Sequence, residues 1–173
     1  MILKCPSFLE TPGAREVGVE FHSFSKIFNM TGWRLGFVCG NHKIVSALTK
    51  VKANIDSGPF NAIQIAGIEA LKNVDKVTRN IKSLYEKRRD VFVEGLNKAG
   101  WKVSKPKATF YVWAPVFGRY TSATLARKLL EKADLVATPG NGFGASGEGY
   151  VRMALTVGTS RLKEAAERIG KII

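Results

Sequence analysis

Cysteine, histidine and acidic residues are scarce in this chain, and each shortage removes a class of protein. The 173 residues hold two cysteines, Cys5 and Cys39, with no Cys-x-x-Cys. A disulfide-stapled scaffold and a cysteine-rich zinc module are excluded, and the usage suits a reducing cytoplasm. Two histidines, His22 and His42, without a His-Glu-x-x-His pattern, carry no local signature of a metal centre, so no metal is expected. No apolar run approaches the ~20 residues of a membrane span, so no membrane partner is expected. The opening MILKCPSFLETPG is broken by Lys4 and Pro6, unlike a secretory signal. Apolar residues at 45% and charged residues at 24% describe an ordinary globular chain of one or two domains.

The shortage of acids leaves a net charge of +13, from 27 basic and 14 acidic residues. Such a charge raises a nucleic-acid-binding module as a reading of a different class, with binding that falls steeply with salt. The distribution argues against it. Residues 1–75 hold 8 basic and 6 acidic residues, and the excess lies in residues 76–173. There the bases sit at helical spacing among acids, as in Lys82, Glu86, Lys87, Arg88, Arg89 and Asp90. That is the pattern of a solvated helical face, and no nucleic-acid partner is expected.

Period and punctuation set out the elements. Residues 17–22 alternate as a strand, and 34–40 form a second one ended by Gly40. Asn41 is placed to cap a helix with Ile44, Val45, Leu48, Val51 and Ile55 at helical spacing. Gly58-Pro59 breaks the chain before a second helix from Asn61, apolar along one side and therefore expected to be buried. One long helix is predicted over 75–98, with Gly100 after it. Strands at 101–106 and 108–116, a helix over 122–133 capped by Ser122, strands at 135–140 and 150–157, and a last helix capped by Ser160 complete the chain. The part after residue 98 thus reads β-β-α-β-β-α, a compact two-layer unit. The first 75 residues pair two strands with two apolar helices, too little to bury themselves, as if belonging to a larger layer. Three regions follow: 1–75, a connecting helix 76–98, and a small domain 99–173.

Two features carry chemistry. Ser23-Phe24-Ser25-Lys26, with Arg34 eight residues on, sets a lysine just past a strand end in a polar loop. Partial desolvation there favours a nucleophilic amine, and two hydroxyls with a guanidinium suit a phosphate. A lysine beside a phosphate anchor is what pyridoxal phosphate chemistry requires, although an ordinary surface lysine satisfies the same spacing. The second feature is GYVRMAL. By period two, Arg152 faces away from Val151 and Met153. An arginine within a strand needs an anionic partner. An ion pair with Glu148 or Glu131 and a substrate carboxylate both meet that need.

Taken together, FHSFSKIFNMTGWRLGFVCG, ATFYVWAPV, and PGNGFGASGEGYVRMALT followed by RLKEAAERI resemble the fold-type I pyridoxal phosphate aminotransferases of class I/II. Residues 6–70 are most similar to the LL-diaminopimelate branch, with the aspartate and aromatic branches as alternatives. The resemblance implies an α/β fold: the C-terminal part of the pyridoxal phosphate transferase fold, with a remnant of the large-domain sheet and a complete small domain. It implies pyridoxal 5'-phosphate as cofactor, an amino acid and a 2-oxo acid as substrates, and a cytoplasmic homodimer in amino-acid biosynthesis. Lys26 matches the lysine that binds the cofactor covalently and moves the proton at the substrate Cα. Ser23 and Arg34 match phosphate ligands, with Ser25 assisting. Arg152 matches the arginine that grips the substrate α-carboxylate, and 54–61 resembles a segment that reaches a dimer partner. Trp33, Phe110, Tyr111 and Trp113 are expected to pack rather than to act. A full-length family member is more than twice as long. The residues that stack on the cofactor ring and pair with its nitrogen are therefore expected outside this sequence, and the chain alone is expected to lack useful transaminase activity.

Overall fold

The computed structural model describes residues 6–173, so Cys5 lies outside the described residues. The chain divides into two compact units, with the boundary between Lys82 and Ser83.

In the first unit, β1 (Val19–Ser23) pairs antiparallel with β2 (Gly36–Gly40), Val19 opposite Gly40 and Ser23 opposite Gly36. A short helix, α1 (Ala14–Val17), precedes β1, and a second one, α2 (Phe24–Ile27), follows it directly. The expected strand at 17–22 is therefore shifted, because Ala14 to Val17 close a helical turn that ends on Gly18. Two longer helices, α3 (His42–Ala53) and α4 (Asn61–Lys72), complete the unit's own elements. The Asn41 cap is present: its Oδ1 accepts from the backbone N–H groups of Lys43 at 2.9 Å and Ile44 at 3.2 Å. Phe24 is the buried centre, with Phe28 and Phe37 rings 5.0 and 5.7 Å away. Gly67 of α4 lies so close to Leu35 and Phe24 that a Cβ there would meet the Leu35 side chain.

The expectation that α4 is buried does not hold. Gly67 is its one buried residue, and Ile65 is 66% exposed. An apolar helix is covered only where a partner layer exists, and a two-stranded ribbon covers little.

The predicted long helix is present as α5 (Val74–Lys98), and the unit boundary falls within it. The second unit folds its C-terminal part with a three-stranded antiparallel sheet, order β3-β5-β4. The strands are β3 (Tyr111–Pro115), β4 (Thr138–Pro139) and β5 (Tyr150–Ala154), with Trp113 and Thr138 both opposite Arg152. Two helices, α6 (Ser122–Ala133) and α7 (Thr159–Gly170), complete it. Phe92 and Leu96 of α5, Leu125 and Leu129 of α6, and Ile169 of α7 close over Val112 and Val151 of the sheet. At about 25 cal/mol per Å² of apolar area removed from water, this core is the main stabilising element of the unit.

Residues 101–106 form no strand. Asn97 donates its Nδ2 to the Val103 carbonyl and accepts from the Val103 N–H, each at 3.0 Å, so a side chain replaces the neighbouring strand. Trp101 and Val103 are anchored in the core, and the Trp101 indole donates to the Pro115 carbonyl at 2.8 Å. The strand at 108–116 shortens because Thr109 turns left-handed, φ 69°. The α6 cap is Thr121, in a reciprocal pair with Thr124, rather than Ser122. The α7 cap position is Gly158, without a side-chain bond, rather than Ser160. Among the described residues no helix is long and apolar enough to cross a membrane.

Candidate functional site

The first cluster forms where β1 runs into α2. Ser23 is the last residue of β1 and the N-cap of α2, its Oγ accepting from the Ser25 N–H at 3.2 Å. That bond uses an acceptor lone pair and leaves the hydroxyl proton available. Ser25 is 9% exposed, and its carbonyl accepts from the Thr31 hydroxyl at 2.9 Å, which ties the following loop to α2. Lys26 therefore lies on a helical turn rather than in the expected loop, and it is exposed. Ser23 and Lys26 are three residues apart, on one face of that turn.

Arg34 approaches from the other side of the loop. Its backbone is left-handed, φ 54°, and its Nη1 donates to the Thr31 carbonyl at 3.1 Å. A non-glycine residue in that region costs on the order of 1 kcal/mol, and such strain concentrates at functional positions. Ser23, Ser25, Arg34, Leu35 and Gly36 line one small cavity of about 230 Å³. Gly36 is required there by space, since a Cβ would come within 2.8 Å of the His22 carbonyl oxygen. Two hydroxyls and a guanidinium around one cavity form a donor set without a carboxylate, the chemistry of a phosphate site. The residues present fit the phosphate of the implied cofactor.

The second cluster is on the outer face of the β3-β5-β4 sheet. Val151 and Met153 point into the core, and Arg152 points away from it. The carboxylate expected beside it is engaged elsewhere. Glu148 accepts from the Ser122 backbone N–H and from the Ser122 hydroxyl, both at 2.7 Å. Those bonds hold the Glu148 carboxyl below the ordinary carboxylate range, with a further contribution from the Gly149 N–H. Arg152 instead meets aromatic rings: its guanidinium carbon lies 4.3 Å from the Tyr111 centroid and 4.4 Å from that of Phe143. Trp113 stacks on Tyr150 at 5.6 Å along the same face.

Tyr111 was expected only to pack, and its contact with Arg152, like that of Phe143, was not read from the sequence. Tyr111 reaches Arg152 because it lies two positions along β3 from the cross-strand partner Trp113, on the same side of the sheet. Local sequence does not contain that register. Phe143 is held in the 140–149 loop by a close backbone approach, since a Cβ on Gly140 would overlap the Gly147 carbonyl. Trp113, expected to pack, stacks on Tyr150 and meets Phe143 edge-on while 39% exposed, and Trp33 is 46% exposed.

The family profile of the class I and II aminotransferases matches residues 11–169. The LL-diaminopimelate aminotransferase of Moorella thermoacetica is 54% identical over 170 residues, 98% of this chain and 44% of that protein. That of Syntrophobacter fumaroxidans is 55% identical over 166 residues, 96% of this chain and 43% of that protein. BacF from Bacillus subtilis superposes with a TM-score of 0.91 at 41% identity, over 96% of this chain and 43% of its own. An aromatic aminotransferase from Pyrococcus horikoshii gives 0.89 at 32% identity, over 98% and 46%. The chain thus spans less than half the length of these relatives. With the profile covering most of its residues, this chain belongs to the class I and II aminotransferases, enzymes that depend on pyridoxal phosphate.

Proposed function

We propose that this chain carries the cofactor lysine, the phosphate anchor and the carboxylate-binding arginine of an aminotransferase that exchanges an amino group between an amino acid and a 2-oxo acid. The observation that carries the proposal is the convergence of Ser23, Ser25 and Arg34 on one cavity beside the turn that bears Lys26. When bound, pyridoxal phosphate supplies an electron sink for the substrate's Cα. The chain's residues supply the rest. The Ser23 and Ser25 hydroxyls would each donate one hydrogen bond to the phosphate. Arg34 spends one N–H on Thr31 and keeps the remaining donors for the same phosphate. The Lys26 amine would bind the cofactor's aldehyde carbon and, once the substrate's amino group had taken its place there, would be free to move a proton at the substrate Cα.

Arg152 takes the α-carboxylate. A ring contact engages the face of a guanidinium and leaves its N–H edge for a two-point pair with a carboxylate. In this proposal LL-diaminopimelate is the amino acid, supported by relatives of that name at 54% and 55% identity. An aspartate or aromatic substrate is the weaker alternative, supported by solved structures at 30–32% identity. The enzyme acts as a cytoplasmic homodimer, and the 173-residue chain alone turns over slowly or not at all.

The test is to treat the chain with pyridoxal phosphate, reduce with borohydride and map the label by peptide mass. The label is expected on Lys26, and to fall in Arg34→Gln. Label spread across surface lysines in proportion to their exposure would contradict the proposal.

A further inference from the structure

We propose that Glu20, His22 and Cys39 form a zinc-binding site on the β1–β2 ribbon. In β1, Glu20 and His22 are two residues apart and share a face. In β2, Cys39 is the register partner of Glu20, so its side chain joins them on that face. The three donor atoms all lie within 4.8 Å of one another. His22 Nε2 and Glu20 Oε2 are already 3.1 Å apart. A tetrahedral zinc with bonds of ~2.0–2.3 Å places its donors roughly 3.4–3.7 Å apart, so closing on the ion requires about 1 Å of side-chain movement.

The surroundings orient the donors. The Ser7 hydroxyl donates to Glu20 Oε1 at 2.8 Å and the Leu9 N–H points to the same oxygen at 3.4 Å, which leaves Oε2 turned toward His22. The His22 ring stacks on Phe37, centroids 4.8 Å apart and planes 17° from parallel. Cys39 is a free, half-buried thiol. Outer contacts of this kind keep metal ligands in place.

The donor chemistry selects the ion. A thiolate, an imidazole and a carboxylate together suit zinc, whereas magnesium and calcium take oxygen alone. Three protein ligands leave the fourth position to water, and the His22 side chain is 43% exposed, so the ion has access. On binding, the Cys39 thiol loses its proton to solvent, and the thiolate and the Glu20 carboxylate balance the two charges of the ion. The pattern is invisible along the sequence because the ligands meet across strands. A bound ion would tie β1 to β2, the two strands whose ends supply Ser23 and Gly36 to the phosphate cavity.

The experiment is equilibrium dialysis of the reduced 173-residue chain against zinc, followed by replacement with cobalt(II) to read the thiolate-to-metal band in the near ultraviolet. One ion per chain is expected, with that band present. Cys39→Ser should remove the band and weaken zinc at least tenfold, and His22→Gln should weaken zinc while keeping the band. Ser7→Ala should weaken zinc by roughly tenfold. Cys5→Ser should change neither. Equal zinc affinity in the unsubstituted chain and in Cys39→Ser, or a cobalt spectrum without the thiolate band, overturns the proposal. Loss of the band in Cys5→Ser also overturns it.

Discussion

The Arg152 guanidinium carbon lies 4.3 Å from the centre of the Tyr111 ring, two strand positions away from its cross-strand partner Trp113. A cation held against a ring is fixed in position before any anion arrives. Tyr111→Leu removes one ring at a cost of about 0.5–1 kcal/mol, a roughly two- to fivefold loss. The expected outcome is weaker carboxylate binding with the sheet intact. It is measured by titrating an amino acid carboxylate such as aspartate against the Arg152 Nε resonance. Unchanged affinity in Tyr111→Leu would show that the ring only packs.

The left-handed Arg34 separates stability from ligand binding. Arg34→Gly relieves backbone strain on the order of 1 kcal/mol and removes the guanidinium. Denaturant unfolding should show equal or greater stability, while affinity for pyridoxal phosphate falls. A variant that is both less stable and unchanged in cofactor binding would contradict the role given to Arg34.

The two units should respond differently to apolar truncation. Leu129 is fully buried in the second unit, so Leu129→Ala should cost about 2–5 kcal/mol in urea unfolding. Ile65, at 66% exposed, should tolerate alanine within about 0.5 kcal/mol in this chain. A large loss at Ile65 would reveal a partner for α4.

Glu148 sets an acid limit on the second unit. Its carboxyl titrates below the ordinary range because the Ser122 N–H and hydroxyl, and then the Gly149 N–H, bond its ionised form. A depressed folded value contributes stability that is complete above the unfolded carboxylate range and is lost as pH falls through the folded value. Stability should therefore decline only as pH falls below the ordinary glutamate range, and Glu148→Gln should flatten that slope. An unchanged slope would assign it to another carboxylate.

The long helix α5 was legible because its apolar positions recur over many turns, and the Asn41 cap because its signal is local. The strand predicted at 101–106 failed because Asn97, outside that segment, supplies the bonds a strand would need from a neighbour. Ser122 resembled a cap because the preceding Thr121 offers the same chemistry, and the tertiary partner Glu148 claims Ser122 instead. The phosphate cluster was read from Ser23, Ser25 and Arg34 together with the family resemblance. Tyr111 and Phe143 were not legible as neighbours of Arg152, since antiparallel register and loop closure decide that contact.

In the proposed function Lys26 holds the cofactor while Ser23, Ser25 and Arg34 anchor its phosphate. The most direct measurement is the absorbance of the chain between about 400 and 430 nm on titration with pyridoxal phosphate. A saturable band is expected that is abolished in Lys26→Ala and requires more cofactor in Arg34→Gln. A band of equal intensity and affinity in Lys26→Ala would contradict the account.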